Sequence, residues 1–303
     1  MANGFKSSIL QDLRHPVLKW GYIFAIPGVV AYFLFTLYPI GSTIWQSLHL
    51  VTGAANPWKF VGLSNYQTIF KDKIFWDSLR ITITYVLMTV PLGAFISLVV
   101  AIALQNIAAG KGFFRAFYFI PSVAGLVAVG IIWGWLYEPY NGLLNLVFES
   151  IGLPKLNWLR DENLALACIA AMTIWRTMGY NMVILLAGIL AIPPQYYEVA
   201  DIDGVGLVRK HVSITLPLVS PALWFVIIYN TIKNMQVFTE VFVMTGGGPG
   251  HATTTIGFRI YQNAFVFISF GRAGANAVVL LLIILIITLI QLRFFNQGTK
   301  IEY

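Results

Sequence analysis

The sequence predicts an all-α polytopic membrane protein with six transmembrane helices. Three observations carry that expectation. Hydrophobic residues make up 58% of the 303 residues and charged residues only 10%, against roughly 25% charged in soluble domains. The mean hydropathy is positive. The apolar residues also gather into runs of the roughly 20 residues that a helix needs to cross the hydrocarbon.

Taken in order, the spans are expected at about 20–44, 81–105, 116–136, 164–190, 218–242 and 273–292. The first follows Lys6, Arg14 and Lys19 in a polar segment, 1–19. It is too long for a signal-peptide core and has no convincing small-residue cleavage site, so it reads as a retained helix. The second lies in an uncharged stretch between Arg80 and Lys111, and the third between Arg115 and Glu138. Arg176 interrupts the fourth and Lys233 the fifth, while Arg272 and Arg293 bracket the sixth. Between the first two spans, Tyr66, Ile69, Phe70 and Ile74 recur at helical spacing within 64–78, which predicts a short interfacial helix.

Six spans place both termini on one side. The segments 1–19, 106–115, 191–217 and 293–303 then share a face with 9 Lys and Arg, and the longer loops share the other face with 8. The positive-inside rule weighs charges in short loops near helix ends, so the face with the short segments is assigned to the cytoplasm. The net charge of +7 reads as this bias, and no nucleic-acid motif accompanies it. Cys168 has no second cysteine to pair with. Trp20, Trp133, Trp135 and Trp175 read as belt or packing residues.

The most polar long stretch of the second half is "YEVADIDGVGLVRKHVSITLP", residues 197–217. Pro193 and Pro194 end the fourth span and suit the start of a new helix over 195–202. Asp203-Gly204 is a turn signal, since glycine adopts positive φ without steric cost. A second helix is expected from Val205, with Val205, Val208, Val212 and Leu216 on one stripe and Pro217 closing it. Such a helix-turn-helix with an exposed apolar stripe requires a covering surface, either the membrane or a partner.

Residues 198–217 resemble the EAA loop of binding-protein-dependent ABC transporter permeases, written E-A-A-x-x-D-G with I-x-L-P further on. Glu198, Ala200, Asp203, Gly204, Ile214, Leu216 and Pro217 fall on that pattern, and Val199 replaces its first alanine. "FVGLSNY" (60–66), "FYFIPSV" (117–123), "LLAGILAIPPQYYEVA" (185–200) and "MTGGGPGHATTT" (244–255) look like the carbohydrate-uptake branch, the larger-type subunit of the maltose and glycerol-phosphate systems. Against the maltose version, the six-span core is expected here without the extra helices and large external domain of that subunit.

The resemblance implies a type I importer permease in a bacterial or archaeal plasma membrane, with both termini cytoplasmic. It implies a cytoplasmic coupling helix in which Glu198, Ala200, Asp203, Gly204 and Leu207 dock on an ATPase subunit. The implied partners are a second permease, two ATPase subunits that hold ATP and magnesium, and an extracytoplasmic solute-binding protein. This chain itself is expected to bind no cofactor and to be no enzyme. It has no G-x-x-x-x-G-K-[ST] motif, no G-x-S-x-G elbow and no metal spacing among its four histidines. "TGGGPG" (245–250) is expected to be a flexible structural loop rather than a phosphate cradle.

Charged groups at a helix centre cost roughly 2.5–3.5 kcal/mol and usually face a cavity or a partner. Arg176, Tyr180, Asn230, Lys233, Asn234 and Gln236 are therefore the candidate solute pathway; the bland alternative is helix-to-helix glue. Amides and charges beside aromatic rings suit a sugar, which offers hydroxyls and apolar ring faces. Glu240 is expected at the external interface. Arg176 and Lys233 also keep glycerol phosphate or another polar anion open as cargo, and an ion-coupled secondary transporter is the rival outside the family.

Overall fold

The computed structural model describes residues 16–51, 58–107 and 110–298. Most of the expected N-terminal segment, 1–15, lies outside them. Among the described residues, five helical runs are long and apolar enough to cross a membrane, and a sixth apolar run is a pair of helices bent at 95°.

The first run joins α1 (Pro16–Tyr32) to α2 (Tyr38–Ser47) through a π turn, Phe33–Leu37. It stands apart from the bundle. Phe24 and Phe35 are about four-fifths exposed, and only α2 packs closely, against the last helix. A two-residue ribbon, β1 (His49–Leu50) with β2 (Lys59–Phe60), follows.

The helix expected over 64–78 is instead two elements. α3 (Ser64–Lys71) stops at Asp72, whose carboxylate accepts the Ile74 amide at 2.9 Å and so caps α4 (Lys73–Gln105). Nor does α3 simply rest on a membrane surface. Ile69 is buried, and the Asn65 amide donates to the carbonyls of Ser47 and His49 at 2.9 Å each. The cap at Asp72 also explains why the second span begins well before residue 81: its charged first turns carry no apolar signal.

The third run is not the straight span expected at 116–136. α5 (Lys111–Val123) and α6 (Leu126–Leu136) meet at 95°. Pro121 lies within the last turn of α5, and Ala124 swings to an extended conformation. The short α7 (Leu143–Ser150) leads to α8 (Ala165–Leu190), the fourth span and the most buried of the runs. α8 and α4 form the central pair. Met182, Leu185 and Ile189 interlock with Ala94, Ala101 and Leu104, and with Val219 and Val226 from the fifth span. The small residues let the backbones approach.

After α9 (Gln195–Ile202), α10 (Leu207–Lys210) runs through a π turn, His211–Thr215, into α11 (Leu216–Met235). Pro217 therefore does not close the second elbow helix. The Leu216 amide bonds back five residues to the His211 carbonyl, and Pro217 enters α11 in its first turn, where it is tolerated. The fifth span is displaced accordingly: it covers Leu207–Met235 and ends seven residues before the expected 242. The chain breaks at Gln236 and restarts as α12 (Thr239–Met244).

The expected flexible loop at 245–250 is tied down. Thr253 Oγ1 donates to the Gly248 carbonyl at 2.8 Å and Thr254 Oγ1 to that of Gly247 at 2.9 Å, with both threonines buried. α13 (Ile256–Tyr261) follows, and its first amide donates to Thr82 of α4 at 2.9 Å. α14 (Phe270–Gly298) completes the bundle, starting and ending beyond the expected 273–292.

Candidate functional site

All six residues of the expected pathway line one cavity of about 630 Å³. Three walls form it: the α5–α6 break, the middle of α8, and the end of α11 with the start of α12. The break is held against α8 by backbone and side chain together. Ser122 Oγ donates to the Arg176 carbonyl at 2.7 Å and accepts the Tyr180 amide at 3.2 Å. Gly179 makes the approach possible, because a Cβ there would sit 1.9 Å from the Tyr118 carbonyl oxygen. A proline in one run and a glycine in another thus set one wall.

The helix stop at Gln236 shapes the opposite wall. On a continuous helix Gln236 and Glu240 would occupy a different edge from Asn230, Lys233 and Asn234. With the break, both groups face the same space. Glu240 lies five residues past the end of the fifth span. It is buried, with its carboxylate 4.0 Å from Arg176 Nη2. A lone arginine in an apolar helix calls for a counter-charge, and that was the signal that could have placed Glu240 here. Arg176 Nε is buried with no hydrogen-bond partner among the described residues.

The two asparagines differ. The Asn230 amide donates to Asn181 Oδ1 at 2.9 Å and to the Val226 carbonyl at 2.8 Å, so its donors are consumed in joining α11 to α8. Asn234, one turn on, lines the cavity without a side-chain partner among the described residues. Tyr229, missed in the sequence, is the aromatic centre. Its ring packs on Tyr180 at 5.7 Å and stacks on Phe225 at 6.1 Å, and Lys233 Nζ lies 5.9 Å from its centroid.

At the other end of the fifth span stands the elbow. α9 closes with a left-handed residue, Gly204, at φ +68°. The Val205 amide reaches the Ala200 carbonyl at 2.9 Å and the Gly204 amide that of Asp201 at 3.1 Å. This is the paired bonding of a Schellman cap, in which glycine takes the αL position. Asp201 and Lys210 pair across the arms, and Thr215 Oγ1 hydrogen-bonds both the Tyr197 hydroxyl at 2.9 Å and His211 Nδ1 at 3.0 Å. Ala200 is buried in this corner; Glu198, Asp203 and Leu207 are exposed. Of the expected stripe, Val208 and Val212 are well exposed and Val205 is partly covered. Ile202, at 85% exposed, outdoes every other large apolar side chain among the described residues.

The chain is 34% identical over 273 residues to the sulfoquinovosyl glycerol transport system permease protein SmoG of Agrobacterium fabrum, covering 89% of this chain and 88% of that protein. It belongs to the ABC transporter permease family. The trehalose/maltose transport system permease protein MalF of Thermococcus litoralis is 31% identical over 95% of the permease and 97% of its own length. The sn-glycerol-3-phosphate permease protein UgpA of Agrobacterium fabrum is 29% identical over 95% and 98%. No family model matches. The fold of the permease is that of a bacterial importer of the acidic polysaccharide alginate, with a TM-score of 0.84 at 20% identity over 97% of this chain and 100% of the other. The MetNI methionine ABC transporter is more distant, at a TM-score of 0.54 and 14% identity over 78% and 99%. The permease is thus a multi-pass membrane protein and a transport component.

Proposed function

We propose that this permease is one of two paired transmembrane subunits of an ATP-driven importer for a sugar or a related polyol. A solute-binding protein delivers the cargo outside, and two ATPase subunits carrying ATP and magnesium work from the cytoplasm. The elbow faces the cytoplasm, with both chain termini, in a bacterial or archaeal plasma membrane. The observation that carries this reading is the convergence of Tyr180, Tyr229, Asn234, Gln236 and two cations on one cavity between the spans. Relatives named for sulfoquinovosyl glycerol, trehalose and maltose support the sugar class.

Glu198, Ala200, Asp203, Gly204 and Leu207 form the seat for the ATPase. Leu207–Met235 is one helical run of 29 residues, a rod roughly 40 Å long at about 1.5 Å per residue. A stroke on the elbow therefore reaches Asn230, Lys233 and Asn234 along the same rod. The partner permease completes the cavity, and closure of the ATPases turns it from inward- to outward-facing.

The test is uptake by proteoliposomes holding the whole complex. Labelled solute should accumulate only with ATP and a loaded binding protein. Accumulation that survives ATP depletion and collapses with an ion gradient would instead establish secondary transport.

A further inference from the structure

Three charged side chains line the cavity: Arg176, Lys233 and Glu240. Glu240 stands beside Arg176, with 4.0 Å between the nearest nitrogen and oxygen. Lys233 has no carboxylate within ion-pair distance among the described residues; its recorded neighbour is the Tyr229 ring at 5.9 Å. The lining therefore carries one uncompensated positive charge on an exposed ammonium group. An anionic group brought into the cavity would meet this ammonium in a charge-assisted hydrogen bond, which is stronger the more the solute displaces water from the cavity. A neutral sugar would fill hydrogen bonds and leave that charge as it was. The Asn234 amide and Gln236 line the same space as Lys233, offering further donors to anionic oxygens, and the Tyr180–Tyr229 pair offers a face to a ring.

Resting on the importer reading above, we propose that the solute carries an anionic group and that Lys233 is the residue that selects it. Glu240 is the complementary determinant. Standing 4.0 Å from Arg176, its carboxylate offsets that positive charge and so sets how much negative charge the solute brings.

Proteoliposomes containing the complete transporter test this with matched pairs: glycerol and glycerol 3-phosphate, glucose and glucuronate, maltose and maltobionate. Wild type should carry the anionic member of a pair in preference to the neutral one. Lys233→Met should raise the KM for the carried anion by about tenfold or more, the weight of one charge-assisted hydrogen bond, and erase the preference. Lys233→Arg should keep the preference, which separates charge from folding. Glu240→Gln should shift preference toward the more highly charged phosphate. Equal transport of neutral and anionic members, or a charge preference unmoved by Lys233→Met, overturns the proposal while leaving the importer reading standing. ATP-independence of all uptake overturns the importer reading itself, and this inference with it.

Discussion

The two ends of the fifth span invert the usual placement of polarity. At the elbow, Ile202, Leu207 and Val208 hold apolar side chains in the open. At the far end, Asn230, Asn234 and Glu240 hold polar groups within the bundle. Exposed apolar side chains are costly in water, and so are buried polar groups without a partner, as Asn234 is among the described residues; Asn230 is already satisfied by Asn181 and Val226. On the proposed function each inversion is relieved by a different visitor: a protein surface at the elbow, a polar solute in the cavity. One helical run, Leu207–Met235, connects the elbow to Asn230 and Asn234.

The hardest blow to that comparison comes at the elbow. Replacing Ile202 and Val208 together by aspartate should lower ATP-dependent uptake by about hundredfold or more, as loss of central interface anchors does. Co-purification of the ATPase subunits should fall with it, while the thermal midpoint of the permease alone stays put, because both side chains are exposed. Retained co-purification would mean that the exposed patch is not the seat. At the cavity end, Gly179→Val should destabilise the permease by about 1–3 kcal/mol through overpacking against the Tyr118 carbonyl. A thermal melt reads that directly.

Gly204→Ala sharpens the elbow side. A Cβ there meets nothing within 4 Å, so the whole effect is backbone strain at φ +68°, worth about 1–2 kcal/mol. Amide exchange in α9 should accelerate by about tenfold, while exchange in α8 stays unchanged. The smallest effects separate the two asparagines. Asn230→Ala should cost about 0.6 kcal/mol in stability, the typical worth of an interhelical hydrogen bond in a membrane protein. Asn234→Ala should spare stability and raise the KM for solute several-fold, about one neutral hydrogen bond. The reverse pattern would exchange glue and ligand.

Much of this was legible in the residues. Uncharged runs marked the spans, Asp203-Gly204 marked the turn, and the polar residues of the fourth and fifth spans marked the cavity. The errors share a cause. The straight third span, the fifth span carried to 242, and Pro217 as a stop all assumed that apolar content or a single proline decides a boundary. Proline is tolerated where a π turn precedes it, and an apolar run bends where another element holds it. The meeting of Glu240 with Arg176 went unread because a helix was extended through Gln236.

By itself the sequence determined the class of solvent, five of the spans and the elbow, since these follow from composition and from backbone preferences within a few residues. Tertiary structure alone decided where the third run breaks, that Glu240 meets Arg176, and that Asn230 binds a neighbour while Asn234 lines the cavity without a side-chain partner among the described residues. Those outcomes depend on which backbone stands opposite, as Gly179 does to Tyr118. Hydrophobic periodicity reports only which face of a helix is covered, not by what.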